Sequence, residues 1–191
     1  MSTAGSSQQN AAPRPESGND HPQAPEAETD PTFAIREGEV AIALPETFDA
    51  GLYFIGTIRT PWKTRGECPR NPRESDAVCT IVVDPRFAPA LRDIETCSHI
   101  VVLYWMHRAR RDLVVQVPRH YGTPRGSFAL RSPVRPNPIA LSVARLLSVE
   151  GNRLTVRGLD CLDGTPLLDL KPYFASTDAA PDAVVGWHRA R

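Results

Sequence analysis

Three prolines fall within six residues of the segment Arg131-Ser132-Pro133-Val134-Arg135-Pro136-Asn137-Pro138-Ile139-Ala140-Leu141-Ser142. Each ring fixes φ and removes an N–H donor. Each also pushes its predecessor, Ser132, Arg135 or Asn137, toward extended backbone. No helix can run through this stretch, and what remains is a stiff, extended loop carrying two arginines and an asparagine. Such a loop loses little entropy when a ligand orders it, which suits a preorganised polar site. The alternative is a proline-stiffened turn with solvated arginines.

The segments around the loop read as short strands. Phe54–Ile58, Ala77–Val83, His99–Met106, Leu113–Val117 and Ser127–Leu130 are β-prone runs, and His99–Met106 is apolar on both faces and so central. Ile139–Val149 and Arg153–Leu159 flank Glu150-Gly151-Asn152, a turn signal between two further β-prone runs. One short helix is expected near Ala88–Ile94. Many short strands with proline and glycine between them favour an all-β fold, a small closed or nearly closed β-barrel, over α/β. The chain has neither a glycine-rich dinucleotide-type turn nor a phosphate-binding P-loop.

The 191 residues suffice for one domain with a real core. Residues 1–48 read as an acidic, disordered tail: Ser, Gln, Pro, Glu and Ala dominate and no aromatic precedes Phe33. The barrel domain is expected over residues 49–191. Total charge balances at 22 basic against 22 acidic residues, yet residues 1–50 hold nine acids and two bases. That leaves 20 bases and 13 acids in residues 51–191, a folded part of about +7. A mildly basic domain is compatible with an anionic partner such as RNA or a nucleotide. Lysine appears only at Lys63 and Lys171. Arginine suits bidentate contact with phosphate or carboxylate, though a coding bias explains the preference equally well. No apolar run approaches the roughly 20 residues of a membrane span, and the N-terminus lacks the order of a secretory signal. Cys68, Cys79, Cys97 and Cys161 show no zinc spacing and read as reduced thiols of a cytoplasmic protein. The five histidines form no metal motif.

A second dense segment runs from Leu159 to Tyr173. Asp163-Gly164 is a turn dipeptide. Asp169, Lys171 and Tyr173 then alternate along an apolar strand, hence on one face, where they form either a surface ladder or a pocket wall. Together, the arginine–proline loop Arg131–Ser142 and the segment Asp163-Gly164-Thr165-Pro166…Lys171-Pro172-Tyr173 resemble the hallmarks of the TsaA-like family, the TrmO-type tRNA methyltransferases. Ile55-Gly56-Thr57-Ile58-Arg59-Thr60-Pro61 resembles the family's opening strand, and Ser98-His99-Ile100…Tyr104-Trp105-Met106-His107 its central strand. The resemblance covers about residues 53–175, in order.

It implies a small barrel that binds S-adenosyl-L-methionine (SAM), works as a homodimer, and methylates N6 of threonylcarbamoyladenosine beside the anticodon of tRNA. By motif match the cofactor-binding positions are Pro69, Arg70, Asn71, His107, Arg108, Arg131, Leu141, Leu162, Asp163, Gly164 and Thr165. Arg70 or Arg131 suits the cofactor's carboxylate, and Asp163 its ribose hydroxyls or ammonium. In-line methyl transfer asks mainly for positioning, so Asn137, Arg135, Asp169 and Tyr173 are candidates for the acceptor side rather than a triad. Ala140 replaces the glycine the family usually has. Longer members carry a further C-terminal domain, whereas this chain stops soon after the barrel. Alternatives are therefore a SAM-dependent enzyme with a small-molecule acceptor, or a non-catalytic SAM- or RNA-binding barrel.

Overall fold

A computed structural model describes residues 34–188. The strands are β1 (Val40–Ala41), β2 (Gly56–Arg59), β3 (Val78–Val83), β4 (His99–Trp105), β5 (Leu113–Gln116), β6 (Arg125–Gly126), β7 (Ile139–Glu150), β8 (Arg153–Arg157) and β9 (Thr165–Pro172). Six of them close an antiparallel barrel in the order β2-β3-β8-β7-β4-β9, with β9 returning to β2. The expected all-β barrel is therefore present. β1, β5 and β6 make a separate small sheet.

The barrel interior is filled by alternate residues of each strand, as a small barrel requires. Ile58, Ile81, Val83, Ile100, Val102, Leu154, Val156 and Leu167 are all buried. On β7 the inward positions are small: Ala140, Ser142 and Ala144. That row of small residues makes room for Tyr104, which pairs in register with Ala140 and is only 2% exposed. The expected Glu150–Asn152 turn closes β7 onto β8, with Gly151 at φ 60°. Asn152 fastens it to β3 by donating Nδ2–H to the Val83 carbonyl at 2.6 Å.

Three expectations change. Ser127–Leu130 is not a strand but a 3-10 turn over Ser127–Ala129. The buried Ser127 hydroxyl donates to the Leu113 carbonyl at 2.8 Å and accepts from Gln116 Nε2 at 2.8 Å, and these bonds override β propensity. β-pairing falls to Arg125–Gly126 instead. Around Ala88–Ile94 the chain forms 3-10 turns, Pro85–Leu91 and Ile94–Thr96. Pro89 has no N–H to give a longer helix, and Asp93 breaks it with φ 67°. The short helix, α1, lies at Ala175–Asp178. Most of the expected tail lies outside the described residues, but Val40–Ala41 pairs with β5 as a strand. Val40-Ala41-Ile42-Ala43-Leu44 is apolar, unlike the segment before it, and covers an edge of β5 that would otherwise lack a partner. Among the described residues no helix is long and apolar enough to cross a membrane.

Candidate functional site at one end of the barrel

Strand direction sorts the connections. The C-terminal ends of β2, β4 and β8 and the N-terminal ends of β3, β7 and β9 meet at the same barrel end, because each strand runs antiparallel to its neighbours. The connections β2–β3, β4–β7 and β8–β9 therefore all emerge there. They hold Pro69, Arg70 and Asn71; His107, Arg108, Arg131, Arg135 and Asn137; and Leu162, Asp163 and Gly164. Sequence positions up to about a hundred residues apart are brought to one rim.

The rim is tied by specific bonds. Arg131 is exposed and donates Nη2–H to the Leu141 carbonyl at 2.8 Å, which leaves the rest of its guanidinium open. Arg135 donates to the Leu130 carbonyl at 3.2 Å, so one arm of it caps its own loop. Arg111 supports the proline loop from below. Its Nε–H reaches the Pro136 carbonyl at 2.6 Å, its Nη2 lies 3.4 Å from Asn137 Oδ1, and its guanidinium sits 5.4 Å from the Trp105 ring centre. Asn71 caps the 3-10 turn Pro72–Glu74 by accepting from Arg73 N–H. Arg70 donates to the His120 ring at 2.9 Å. Partial burial and the charge of Arg108 hold His107 below its ordinary pKa, so the ring favours its neutral form.

Asp163 is engaged within the protein. One oxygen accepts from Thr60 N–H at 3.2 Å, and the other takes the Lys63 ammonium, with Arg59 at 3.8 Å. The Lys63 hydrogen bond, aided by Thr60 and by the charges of Lys63 and Arg59, holds its carboxyl below the usual range. Gly164, at φ 80°, donates its N–H to the Ile58 carbonyl at 2.9 Å, and Thr165 turns its hydroxyl onto the Leu162 carbonyl at 2.7 Å. In this state the Asp163 carboxylate latches the β8–β9 turn to the end of β2.

A carboxylate that the sequence did not single out occupies the junction. Asp160 Oδ1 accepts from the buried Tyr104 hydroxyl at 2.7 Å and lies 3.4 Å from Ser142 Oγ. Its backbone carbonyl accepts from the Cys68 thiol at 2.9 Å. It thus touches the residue before Pro69 and the residue after Leu141, and precedes the Leu162–Thr165 turn. Among the described residues nothing donates to its second oxygen. Burial first, and the Asp160 charge next, push the Tyr104 phenol far above its ordinary value, so Tyr104 remains a donor. The only local signal for Asp160 was its proximity to Asp163-Gly164.

Asp169 and Tyr173 lie elsewhere. A bulge at Leu168 shifts the β4–β9 register between Leu103 and Tyr104, so Leu167 faces the core while Asp169 sits beside Leu103 on the outer wall. Asp169 pairs there with Lys171 at 2.6 Å, both substantially exposed. Tyr173 joins Val101, Leu141, Val143, Lys171 and Pro172 around an open outer groove of about 720 Å³. Leu141 is the one cofactor candidate that belongs to both regions: its side chain lines the groove and its carbonyl holds Arg131. The Ala140 side chain is half-buried against the core.

A filled antiparallel barrel with three polar connections gathered on one rim defines the class of molecule. The chain belongs to the tRNA-methyltransferase O N-terminal domain family, whose model matches residues 57–179. It is 51% identical over 138 residues to the probable S-adenosyl-L-methionine-binding protein VirR of Rhizobium radiobacter, covering 72% of this chain and 79% of that one. It is 35% identical over 140 residues to the tRNA (adenine(37)-N6)-methyltransferase of Escherichia coli, covering 68% of this chain and 60% of the enzyme. The crystal structure of TrmO from Pseudomonas aeruginosa superposes with a TM-score of 0.61 at 37% identity, over 73% of this chain and 62% of that one. The chain thus spans less than two thirds of the last two proteins.

Proposed function

We propose that this protein is a SAM-dependent methyltransferase that modifies tRNA, with N6 of threonylcarbamoyladenosine beside the anticodon as acceptor. The observation that carries the reading is the convergence of the three family-matched connections on one rim of the barrel. The groups there fit the cofactor. Arg131 offers guanidinium N–H groups to a carboxylate, Asp160 an unoccupied oxygen to a cationic or hydroxyl donor, and Leu141 an apolar surface. When bound, the cofactor supplies an electrophilic methyl group on a sulfonium.

The protein's part is orientation. Prolines 133, 136 and 138 and the Arg111 brace hold the Arg131–Ser142 loop in one conformation before any ligand arrives. Asn137 is exposed, with its carboxamide near Arg111, and Arg135 keeps donors beyond the one spent on Leu130. Both stand ready to orient the acceptor. An exocyclic nitrogen can lose its proton after attack, so no strong base is needed, and fixing donor and acceptor in line is the main catalytic task. Asp169 and Tyr173 line the outer wall and would reach an acceptor only from that side. The same wall bears Ile139, Leu141 and Val143, each at least 40% exposed, an apolar row suited to a second copy of the chain. The homodimer and a cytoplasmic site of action belong to this reading.

Labelled SAM and unfractionated tRNA test it. Label should enter tRNA, nucleoside mass spectrometry should place the methyl group on threonylcarbamoyladenosine, and Arg131→Ala should strongly reduce incorporation at sub-saturating SAM. Tight SAM binding without transfer to any tRNA would overturn the tRNA assignment.

A further inference from the structure

Between Trp105 and Val149 the chain carries eight arginines and one acid, Asp112. Asp112 is taken by Arg110. Among the described residues none of the other seven arginines pairs with a carboxylate. The stretch therefore carries a large excess of positive charge, and it builds β5, β6 and the loops around them.

The loop between β5 and β6 meets two distant parts of the chain. His120 accepts from Arg70 at 2.9 Å. Tyr121 meets the Trp187 ring edge-on, with centroids 5.3 Å apart and planes at 86°, and its hydroxyl hydrogen-bonds His188. Arg125 places its guanidinium 5.5 Å from the Trp187 ring centre. Arg70, His120, Tyr121, Arg125, Trp187 and His188 thus form one contiguous cluster of cations and aromatic rings; the Glu74 carboxylate accepts from the Arg70 backbone N–H at 3.0 Å, but among the described residues no carboxylate pairs with a basic side chain of the cluster. Arg70, His120, Tyr121 and His188 are exposed, as is the adjoining Arg119. Packing alone explains Trp187 against Tyr121. It does not explain the gathering of unpaired basic side chains around them, starting from Arg70 on the rim. Aromatic faces flanked by arginines are what a single-stranded nucleic acid requires: rings for its bases and guanidiniums for its phosphates.

We infer that this cluster is the docking surface for a single-stranded loop of the RNA substrate. A base stacks on the Tyr121–Trp187 pair, Arg119 and Arg125 take the flanking phosphates, and the neighbouring nucleotide is delivered past Arg70 to the rim. The inference rests on the tRNA reading above and adds where the RNA is held.

The test uses the full chain, fluorescently labelled tRNA and anisotropy titrations at several salt concentrations, with calorimetry against SAM as a parallel readout. Each phosphate contact on a single strand contributes about 0.7 to the slope of log K against log salt. Arg119→Ala/Arg125→Ala should therefore lower the slope by about 1.4 and weaken binding about 25-fold at 0.1 M salt. Trp187→Ala should weaken binding about 5- to 150-fold without altering the slope. Arg92→Ala, on the exposed 3-10 region outside the cluster, should bind as wild type, and SAM affinity should be unchanged in all three variants. Wild-type tRNA binding that survives both cluster substitutions overturns the docking surface alone. Wild-type protein that binds no tRNA overturns the tRNA reading and the docking surface together.

Discussion

Tyr104→Phe is the most informative single substitution in the barrel. It keeps the ring that fills the space over Ala140 and removes only the hydroxyl. That hydroxyl has one proton, given to Asp160 Oδ1 at 2.7 Å, so Ser142 at 2.9 Å must donate to the phenol oxygen. The substitution therefore deletes one hydrogen bond to a charged group and one between neutral groups. The first is worth about 1.5–3 kcal/mol and the second about 0.5–1.5 kcal/mol. Ser142 can turn toward Asp160, 3.4 Å away, and recover part of this. The expected net loss is about 2–4 kcal/mol, or roughly 5–15 °C in Tm for a domain of this size. Urea denaturation followed by tryptophan fluorescence measures it directly. A cycle with Ser142→Ala should show strong coupling, because the two substitutions remove a shared bond. SAM affinity should fall in Tyr104→Phe as well, since Asp160 loses the donor that orients it. A stability within about 0.5 kcal/mol of wild type, or additive effects in the cycle, would refute the view that this network is a braced unit.

Other expectations are equally concrete. Arg131→Ala should weaken SAM binding about 10- to 100-fold in calorimetry, the effect of losing a hydrogen bond to a charged ligand group, with little change in Tm because the side chain is exposed. Gly56→Ala places a β-carbon 2.3 Å from the Val82 carbonyl and 2.9 Å from Val83 Cα, both backbone atoms of the paired strand. It should cost at least about 2 kcal/mol, read as a loss of urea midpoint. Under the homodimer proposed above, Val143→Asp on the exposed apolar row should shift the protein toward monomer in sedimentation experiments while leaving its circular dichroism spectrum intact. Stability should also fall in alkali. Burial raises the Cys79 thiol from 9.0 to about 11, so its contribution, about 3 kcal/mol, is complete below pH 9 and is lost as pH climbs toward 11. Tyr104, raised further, adds to the loss above about pH 10, and Tyr104→Phe should remove that part.

Most strands were legible because alternation, β-branched residues and flanking glycine or proline are local properties. β3, β4 and β7 fall within a residue or two of the apolar runs that suggest them. The exceptions have local causes that only tertiary structure exposes. Ser127 leaves the strand pattern because its hydroxyl is buried between Leu113 and Gln116. Val40–Ala41 joins the fold because β5 presents an edge that nothing else covers. The site was legible as motifs but not as chemistry. Asp163 looked like a free carboxylate, yet its partners Lys63 and Thr60 stand 100 and 103 residues away in sequence. Asp160 was not singled out, because its donor Tyr104 is 56 residues away and reads as core. Asp169 and Tyr173 fell in the same motif as Asp163, but a strand rising about 3.4 Å per residue carries them away from the rim.

That separation bears on how the fold divides its labour. The interior is filled by buried side chains such as Ile58, Ile81, Tyr104 and Leu154, so recognition falls to the ends and the outer wall. The rim holds the three connections that carry the polar site residues, and the opposite end holds the tight β7–β8 turn at Gly151 and the β3–β4 link. A change in connection length or charge at the rim leaves the inward row Ile58, Ile81, Ile100, Val102, Leu154 and Leu167 untouched. The arginine-rich stretch between β4 and β7 shows what this permits. It adds strands β5 and β6 of the small sheet, a braced proline loop and, among the described residues, six arginines without carboxylate partners to one connection, while β4 and β7 stay in unbroken register from His99–Arg145 to Trp105–Ile139. Substrate choice can therefore be carried by that connection and the stability of the domain by the barrel, and substitutions in one should leave the other nearly unchanged except through Tyr104, Ser142 and Asp160, where the core reaches the rim.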